Sequence, residues 1–588
     1  MRGMSLSMLI FFCALMALRA AEPKSANVSA DPNDWPMYNR DVIGTRHNPA
    51  ERALSNDNVG QLIERWRFPP ADSSEKIGVV HATAVVNGHV YFGTETTPTF
   101  YKLTPDGKVK WSYRPAARSV LSRLSVGLPM AGFMNAALVT SEAVYVGDMG
   151  GTIYALDRAT GNERWKIDTR AAPFPGAHSS NCIFSSPILA EGLIVMGGGA
   201  YEHAVAAGPL NRGCTGRGFV VALEPETGKV RWKYDVGPEA KELIPPVTIK
   251  HARGQRVFHF GPSTSSVWCT PSFDAQSQTV FFGTDCHNSP RQPTEGDPSL
   301  STKHSCAVIA VDSLNGAEKW VTQITPDDVW NYALPAYDLV TGRYKDQSIG
   351  DTPKIYTIDI AGKPTKVVGC GTKNGGFYVL HAGTGEVLHN TPIFTGPPDK
   401  PPDSLDPRTL ALPSSIGGLQ TGCATDGRTI YTNGIDFLGL GFVKGSLPTG
   451  GRVVSISLDT RRENWRHERP KVKSIGGTAE KPALSNVGDP VGSGIALANG
   501  VAYFTTTASN KLVALDSSTG AVLKEIDLGP VWCGPTVSRG RVYVGTGNLL
   551  FSPENPGEAY FPKSSTGSVR CFGLPGDDEV SRMKSGDE

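Results

Sequence analysis

The sequence predicts an all-β protein, an eight-bladed β-propeller of four-stranded blades, and three observations predict it. A short hairpin phrase returns seven times along the chain, a second strand pair precedes most copies, and a lone strand near the N-terminus matches an unfinished last copy.

The phrase is "YALDRATGNERW" (154–165). Its other copies are "YKLTPDGKVKW" (101–111), "VALEPETGKVRW" (221–232), "IAVDSLNGAEKW" (309–320), "YVLHAGTGEVLH" (378–389), "VSISLDTRRENW" (454–465) and "VALDSSTGAVLK" (513–524). Self-similarity at roughly 55 to 90 residues signals a repeat architecture. Within a copy, β-forming residues build a strand, an acidic turn ending in Gly reverses it, and a Trp stands on the returning strand. Two copies carry His389 and Lys524 where the others carry Trp. A Trp indole buries about 150–250 Å² and needs a partner for its N–H, so one per hairpin docks each sheet on the next.

Upstream stand strand pairs such as "AVVNGHVYFGT" (84–94), "LVTSEAVYVGD" (138–148) and "VSRGRVYVGTG" (537–547). Two hairpins make a four-stranded blade, and radial repetition of blades makes a propeller. The last copy, "GSVRCFG" (567–573), lacks its final strand, while "QLIERWRFP" (61–69) offers an unpartnered strand with Trp66. Pairing the N-terminal strand with the C-terminal blade gives eight blades and leaves no open edge.

The 588 residues include 66 Gly and 44 Pro with 19% charged residues, the balance of a turn-rich globular protein. A net charge of +1 gives no field for nucleic acid, which is excluded as a partner class. Met8–Leu18 is an apolar run after Arg2, followed by Ala20 and Ala21, the pattern of a secretory signal peptide cut near Ala20. No later stretch reaches the ~20 apolar residues of a spanning helix, so no transmembrane segment is expected. Cys13 sits inside the apolar run rather than at its end, which disfavours a lipid anchor. The expected organisation is a signal peptide over 1–20, a flexible mature N-terminus over 21–34, a single propeller over 35–573 and a polar tail over 574–588, in a periplasmic or secreted protein. The ten cysteines form no Cys-x-x-Cys pair, which excludes zinc-ribbon, thioredoxin-like and haem-attachment motifs. Cys182 and Cys214 are candidates for pairing across loops.

These repeats and their loops resemble the quinoprotein alcohol dehydrogenases, eight-bladed propellers that bind pyrroloquinoline quinone (PQQ) on the ring axis. The resemblance covers residues 35–573. Within the family it is nearest the polyvinyl-alcohol dehydrogenase branch, through "DWPMYNRDVIGTRHNPAE" (34–51), "GCTGRGFVVALEPETG" (213–228), "GPSTSSVWCTPSFD" (261–274) and "SIGGLQTGCATDGRTIY" (415–431). It implies oxidation of an alcohol hydroxyl, on a small molecule or a polymer, by hydride transfer to PQQ beside Ca²⁺. Electrons would leave to a separate acceptor such as a cytochrome c, since no Cys-x-x-Cys-His occurs here.

Such chemistry needs a flat cofactor cavity, a Lewis acid, a cationic donor and a base. The resemblance puts Trp268 beneath the cofactor, with Ser266 as a donor to its edge. Trp268 stands outside the hairpin phrase, in the longest interval between copies; the plain alternative is one more docking Trp. Glu202, after a Gly run whose Gly199 and Ala200 let backbone approach the cofactor, matches the family's metal-binding Glu, and Asp285 or Asn288 would be the second ligand of a hard, oxygen-seeking cation. "GTKNGG" places Lys373 and Asn374 at the family's cationic phrase, and Arg217 is a candidate for a cofactor carboxylate. The base is missing from its family registers, which fall on Ser301, Ser305 or Cys306; Asp297 or Asp285 would have to replace it. No adjacent cysteine pair occurs, the corresponding place being Gly213-Cys214. The rival reading is a non-catalytic PQQ-repeat propeller, a binding or assembly scaffold of the envelope with no quinone affinity.

Overall fold

Each hairpin turn is tied by its own side chains. In the computed structural model, Asp157 Oδ1 accepts the backbone N–H of Ala159 and of Thr160, and Asp516 Oδ1 does the same for Ser518 and Thr519. The structure describes residues 27–29, 31–116, 132–203, 205–208, 210–251, 254–334, 346–393, 417–438, 447–473, 487–549 and 564–576. The expected signal peptide, Cys13 and residues 577–588 of the tail lie outside these residues.

The strands assemble into eight antiparallel four-stranded blades around one axis. Blade 1 runs from an inner strand Ala84–Val86 to an outer strand Val109–Tyr113, blade 2 from Leu138–Val139 to Glu163–Asp168, and blade 3 from Ile188–Ala190 to Val230–Asp235. Blade 4 runs from Ser272–Asp274 to Glu318–Gln323, blade 5 from Lys354–Ile360 to Val387–Pro392, and blade 6 from Ala424–Thr425 to Glu463–Glu468. Blade 7 runs from Ala496–Ala498 to Val522–Asp527. Blade 8 starts at Thr536–Ser538, and its outer strand is the N-terminal Ile63–Phe68, which pairs with Val569–Gly573 in the register Ile63 to Gly573 and Phe68 to Val569. The ring therefore closes by joining the two ends of the chain, as the unpartnered strands require. A long hairpin, Lys241–His251 with Gly254–Gly261, is inserted between blades 3 and 4.

The Trp residues fasten blade to blade. Trp66, Trp111, Trp165, Trp232, Trp320 and Trp465 each donate Nε1–H to a carbonyl in the hairpin turn of the next blade, at 2.8–3.0 Å. Each indole also lies on the turn's Gly, where a Cβ would come within 2.5–2.8 Å of the ring. These glycines have φ of 72–83°, so both backbone conformation and space demand Gly. At about 25 cal/mol per Å², each indole contributes on the order of several kcal/mol to its junction before entropy.

The two exceptions follow from the same geometry. The turn of blade 6 carries Arg461 at φ 58° where the other turns carry Gly. No indole fits over a side chain there, and the preceding blade supplies His389, whose Nε2 meets the Arg461 carbonyl at 3.2 Å. A cavity of about 10 Å³ lined by Tyr356, Phe377, His389 and Ile456 remains at that junction. Blade 8 has no outer turn because its outer strand comes from the other end of the chain, and Lys524 Nζ donates instead to Gly60 O at 2.9 Å.

The segment from Trp35 to Asn48 makes one circuit beneath the ring. Its backbone bonds in order to Val85 of blade 1, Val139 of blade 2, Phe273 of blade 4, Ile355 of blade 5, Thr425 of blade 6 and Leu497 of blade 7, and the Asn48 side chain reaches Val537 O of blade 8. Met37 packs in the cluster that holds Ile188 and Ala190 of blade 3. Arg46, 2% exposed, stands at the centre and donates to Ile495 O, Tyr38 O and Pro535 O at 2.7, 2.6 and 3.2 Å. Its guanidinium carbon is 4.7 Å from the centre of the Tyr38 ring and 5.6 Å from that of Trp35, an attraction that offsets part of the cost of burying the charge. Gly422, Gly494 and Gly534 leave the space it fills, since a Cβ on any of them would come within 2.5–3.1 Å of its side chain.

Two outcomes test this architecture. His389→Trp alone will lower the thermal unfolding midpoint through a clash with Arg461, and adding Arg461→Gly will recover it, with a coupling of about 0.5–3 kcal/mol in a double-mutant cycle. Arg46→Ala will cost about 3 kcal/mol or more in denaturant unfolding, because it empties a buried space and takes the guanidinium donor from the Ile495 and Pro535 carbonyls.

Candidate active site

All eight blades send residues to the axis two to four positions before their inner strands, as His81 does for blade 1, Asn135 for blade 2, Gly350 for blade 5, Thr421 for blade 6, Gly494 for blade 7 and Gly534 for blade 8. The cavity they surround has a volume of about 290 Å³, and Tyr38 of the N-terminal circuit lines its base. That is near the lower end for a pocket taking a small organic ligand.

Two indoles bound it. Trp268, leading into blade 4, packs so tightly on Gly350 that a Cβ there would stand 1.8 Å from its ring. Trp532, leading into blade 8, lies in the same way on Gly492, where a Cβ would stand 2.5 Å away. Each presents a flat apolar surface to the cavity. On the blade 3 and 4 side, Tyr201, Trp330 and Tyr332 surround His203, with ring centres 4.9, 5.5 and 6.4 Å from it.

The charged groups lie between blades 3, 4 and 5. Lys373 Nζ is 2.9 Å from Asp346 Oδ2, and both are more than nine-tenths buried. His203 Nε2 is 3.4 Å from Asp285 Oδ2, and Asp285 Oδ1 accepts the Cys286 N–H at 2.9 Å. The two carboxyls are pushed in opposite directions. Burial, helped by the negative charge of Asp285, pushes Asp346 up to about 7 against the pull of Lys373. Burial also acts to raise Asp285, but the His203 bond, the charges of His203 and Lys373 and the Cys286 N–H outweigh it and hold the group below the usual range. Burial would depress Lys373, yet Asp346 and Asp285 raise it, so it stays cationic.

Among the described residues, four buried polar atoms of the cavity lining have no partner: Asn135 Oδ1, His203 Nδ1, Trp330 Nε1 and Ser348 Oγ. Buried polar groups are rarely left unsatisfied, so such a set around an open space marks the place of a polar ligand. Flat indole surfaces, unsatisfied donors and one lysine suit a planar, acceptor-rich molecule such as PQQ.

Of the residues expected from sequence, Trp268, Ser266, Asp285 and Lys373 line this cavity. The others are elsewhere. Glu202 is out of register by one: Tyr201 and His203 face the axis, while Glu202 Oε2 accepts the Gly216 N–H at 3.0 Å and Oε1 is 3.9 Å from His178. Asn288 donates its amide to Trp330 O at 2.9 Å, holding the loop that carries that indole. The Glu202 carboxylate and the Asn288 amide are thus engaged by their own loops, and neither residue lines the cavity that Asp285 lines. Arg217 is turned to Gly237 O and to Asp235, 3.6 Å away, so it supplies no cavity charge. Asn374 closes its own turn through Gly376 N and Tyr378 Oη. Gly199 and Ala200 make room for Ser266 rather than for a cofactor: Ser266 Oγ donates to Ala200 O at 3.2 Å, and a Cβ on Gly199 would meet that Oγ at 2.8 Å. Asp297 is exposed and ion-paired with Arg291. Cys182 and Cys214 are unpaired thiols that donate to Gly199 O and Glu202 O.

Asp346 and His203 are the residues that sequence reasoning missed. Asp346 follows the blade 4 hairpin instead of preceding it. The signal that finds it is its place in the run leading to blade 5, beside Ser348 and Gly350.

Comparison with known proteins agrees with this geometry. Residues 35–409 match the family described as glucose/ethanol/alcohol dehydrogenase, beta-propeller domain, and residues 449–555 match the one described as outer membrane protein assembly factor BamB. The chain is 26% identical over 404 residues to quinohemoprotein alcohol dehydrogenase ADH-IIG of Pseudomonas putida, covering 66% of this chain and 50% of that protein. It is 24% identical over 547 residues to polyvinylalcohol dehydrogenase of a Pseudomonas species, covering 90% of this chain and 75% of the relative. The chain thus spans about half the length of the quinohemoprotein relatives. The crystal structure of quinohemoprotein alcohol dehydrogenase from Comamonas testosteroni aligns with a TM-score of 0.65 at 19% identity, covering 95% of this chain and 82% of that one, which establishes the fold.

A buried histidine sets one acid limit of the site. His287 donates Nδ1–H to Ser263 O at 2.8 Å and accepts the Thr302 N–H at Nε2 at 3.1 Å, which fixes the neutral ring. Burial pushes it down to about 4. Since its unfolded value is about 6.5, the unfolded chain binds this proton first, and stability will fall as pH drops from about 6.5 towards 4 while staying unaffected above that window. Urea midpoints measured at about pH 7.5 and 5 will differ less in His287→Gln than in the native chain.

Proposed function

The chain belongs to the glucose/ethanol/alcohol dehydrogenase β-propeller family, and from that premise we propose that it is an exported, PQQ-dependent alcohol dehydrogenase acting on a small or polymeric alcohol. The observation that carries the reading is the Lys373–Asp346 ion pair on the wall of an axial cavity already furnished with a packed indole. The apolar run at the N-terminus supports export.

Trp268, immobilised on Gly350, would hold the planar cofactor by its face. Ser348 Oγ and Trp330 Nε1, both without partners, would donate to the oxygens at its edge. Lys373 would set its positive charge beside those oxygens, where negative charge develops. A bound quinone would supply the oxidising chemistry, as acceptor for the hydride of the carbinol carbon. Asp346 would accept the hydroxyl proton as the carbonyl forms; its raised affinity for protons near neutrality suits a base that must also release them. No step is assigned to Ca²⁺. The electrons would pass on to an acceptor such as a cytochrome c.

The test is reconstitution with PQQ, washing, and measurement of retained quinone absorbance and of dye-linked alcohol oxidation. Trp268→Ala and Lys373→Ala will lose the chromophore. Asp346→Asn will keep it and lose about 10²- to 10⁴-fold in kcat, the usual worth of a general base. Retention unchanged in both Trp268→Ala and Lys373→Ala would defeat this placement, and no retention by the native chain would leave the scaffold reading.

A further inference from the structure

We propose that His203, Asp285 and Cys286 form a site for a borderline divalent transition ion of the Zn²⁺ class, facing the cavity where the family resemblance implies Ca²⁺. The ligand atoms of these three buried residues lie within 4.8 Å of one another. An ion bound at about 2.0–2.3 Å to nitrogen, oxygen and sulfur holds tetrahedral ligands about 3.3–3.8 Å apart, and His203 Nε2 and Asp285 Oδ2 already stand at 3.4 Å. Closing the remaining gap takes small side-chain rotations.

His203 is 6% exposed, and among the described residues its Nδ1 has no hydrogen-bond partner. The ion would take Nε2, the nitrogen that faces Asp285, and Nδ1 is left to donate to a ligand or water in the cavity.

The scaffold under the three ligands is rigid. His203 follows the blade 3 strand Leu193–Ala200, and Asp285 and Cys286 follow the blade 4 strand Thr279–Gly283. Asp285 N is fixed on Ser266 O at 2.9 Å and Ser265 N on Cys286 O at 3.2 Å. The donor set decides the metal. Ca²⁺ takes six to eight oxygens, and one carboxylate beside an imidazole and a thiol cannot provide them. Nitrogen and sulfur ligands select the later first-row ions and Zn²⁺. Three protein ligands leave a fourth position, and since His203 and Asp285 line the cavity, that position opens onto it. Asp346 Oδ1, 3.7 Å from Cys286 Sγ, stands nearest to share it. Binding forms a metal–sulfur bond in place of the Cys286 S–H and releases that proton to solvent.

The inference concerns the cavity of the proposed dehydrogenase, but its measurement needs no quinone, so the two can fail separately. The full chain, freed of metal and without PQQ, is titrated with Co²⁺ alone. A thiolate-to-cobalt charge-transfer band in the near ultraviolet is expected; Zn²⁺ will abolish it, and excess Ca²⁺ will not. Cys286→Ser will remove the band. His203→Gln and Asp285→Asn will weaken binding by at least about tenfold, and Cys306→Ser, a neighbouring thiol control, will leave it. Circular dichroism and thermal midpoints near the native values qualify each variant, and a variant that fails this check is replaced by Cys286→Ala or His203→Asn. No band in the native chain, a band surviving Cys286 replacement, or displacement of Co²⁺ by equimolar Ca²⁺ would overturn the site.

Discussion

One contact, a side-chain donor of one blade on a backbone carbonyl of the next, is repeated at all eight junctions, at seven of them on a hairpin turn, and the cavity depends on it. Six junctions use an indole on a glycine, one an imidazole and one a lysine. The contact sits at the rim of the ring, far from the axis, where it fixes the angle between neighbouring blades. A closed ring permits no independent error in those angles, because their sum must return the last blade to the first. The position of every axial residue is therefore set by contacts made at the rim, and a site shared among loops of eight blades can be held without disulfides.

The ring alone would leave an open channel. The circuit from Trp35 to Asn48 closes its lower end, and it does so by bonding to inner strands in the order in which the blades follow one another. Arg46 at its centre has an unusual setting for a buried cation: it is satisfied by three carbonyls and two aromatic faces. Carbonyl dipoles can stabilise a guanidinium in this way because its five donors fan out in a plane. Through this circuit Tyr38 becomes part of the cavity lining. Low dielectric in such a pocket strengthens the Lys373 and Asp346 pairing and raises the cost of any polar atom left without a partner.

Much of this was legible in sequence because repetition makes local signals redundant. Seven copies of one hairpin fixed strand, turn and docking residue together, and the two unmatched strands fixed the closure. Trp268 and Lys373 were legible for a different reason: each sits beside a strand whose register the repeat already defines. Glu202 failed by the parity of a strand end, since one step in an extended segment turns a side chain to the opposite face, and the repeat carries no information about which face the last residue takes. Asp346 failed because it lies beyond the blade 4 hairpin, in a stretch with no strand pattern of its own. Asn288, Arg217 and Asn374 are polar residues in loops, and their hydrogen bonds hold loops or turns; composition cannot separate that use from cofactor binding.

Two carboxylates and one lysine, all buried in one pocket, have a consequence that follows from charge alone. If Asp285 and Asp346 were both ionised beside a single cation, the pocket would carry excess negative charge at low dielectric, so one of the two must yield. Which one yields is decided by the neighbours. Asp285 has His203 and the Cys286 N–H, while Asp346 has Lys373 but also the field of Asp285. The result is one carboxylate kept ionised and one that exchanges its proton near neutral pH. Environments that push paired acids apart are the usual means of separating an electrostatic role from a proton-transfer role. Here the separation is built from residues of three successive blades, so it exists only in the closed ring. An acid poised in this way suits the proton transfer proposed for Asp346.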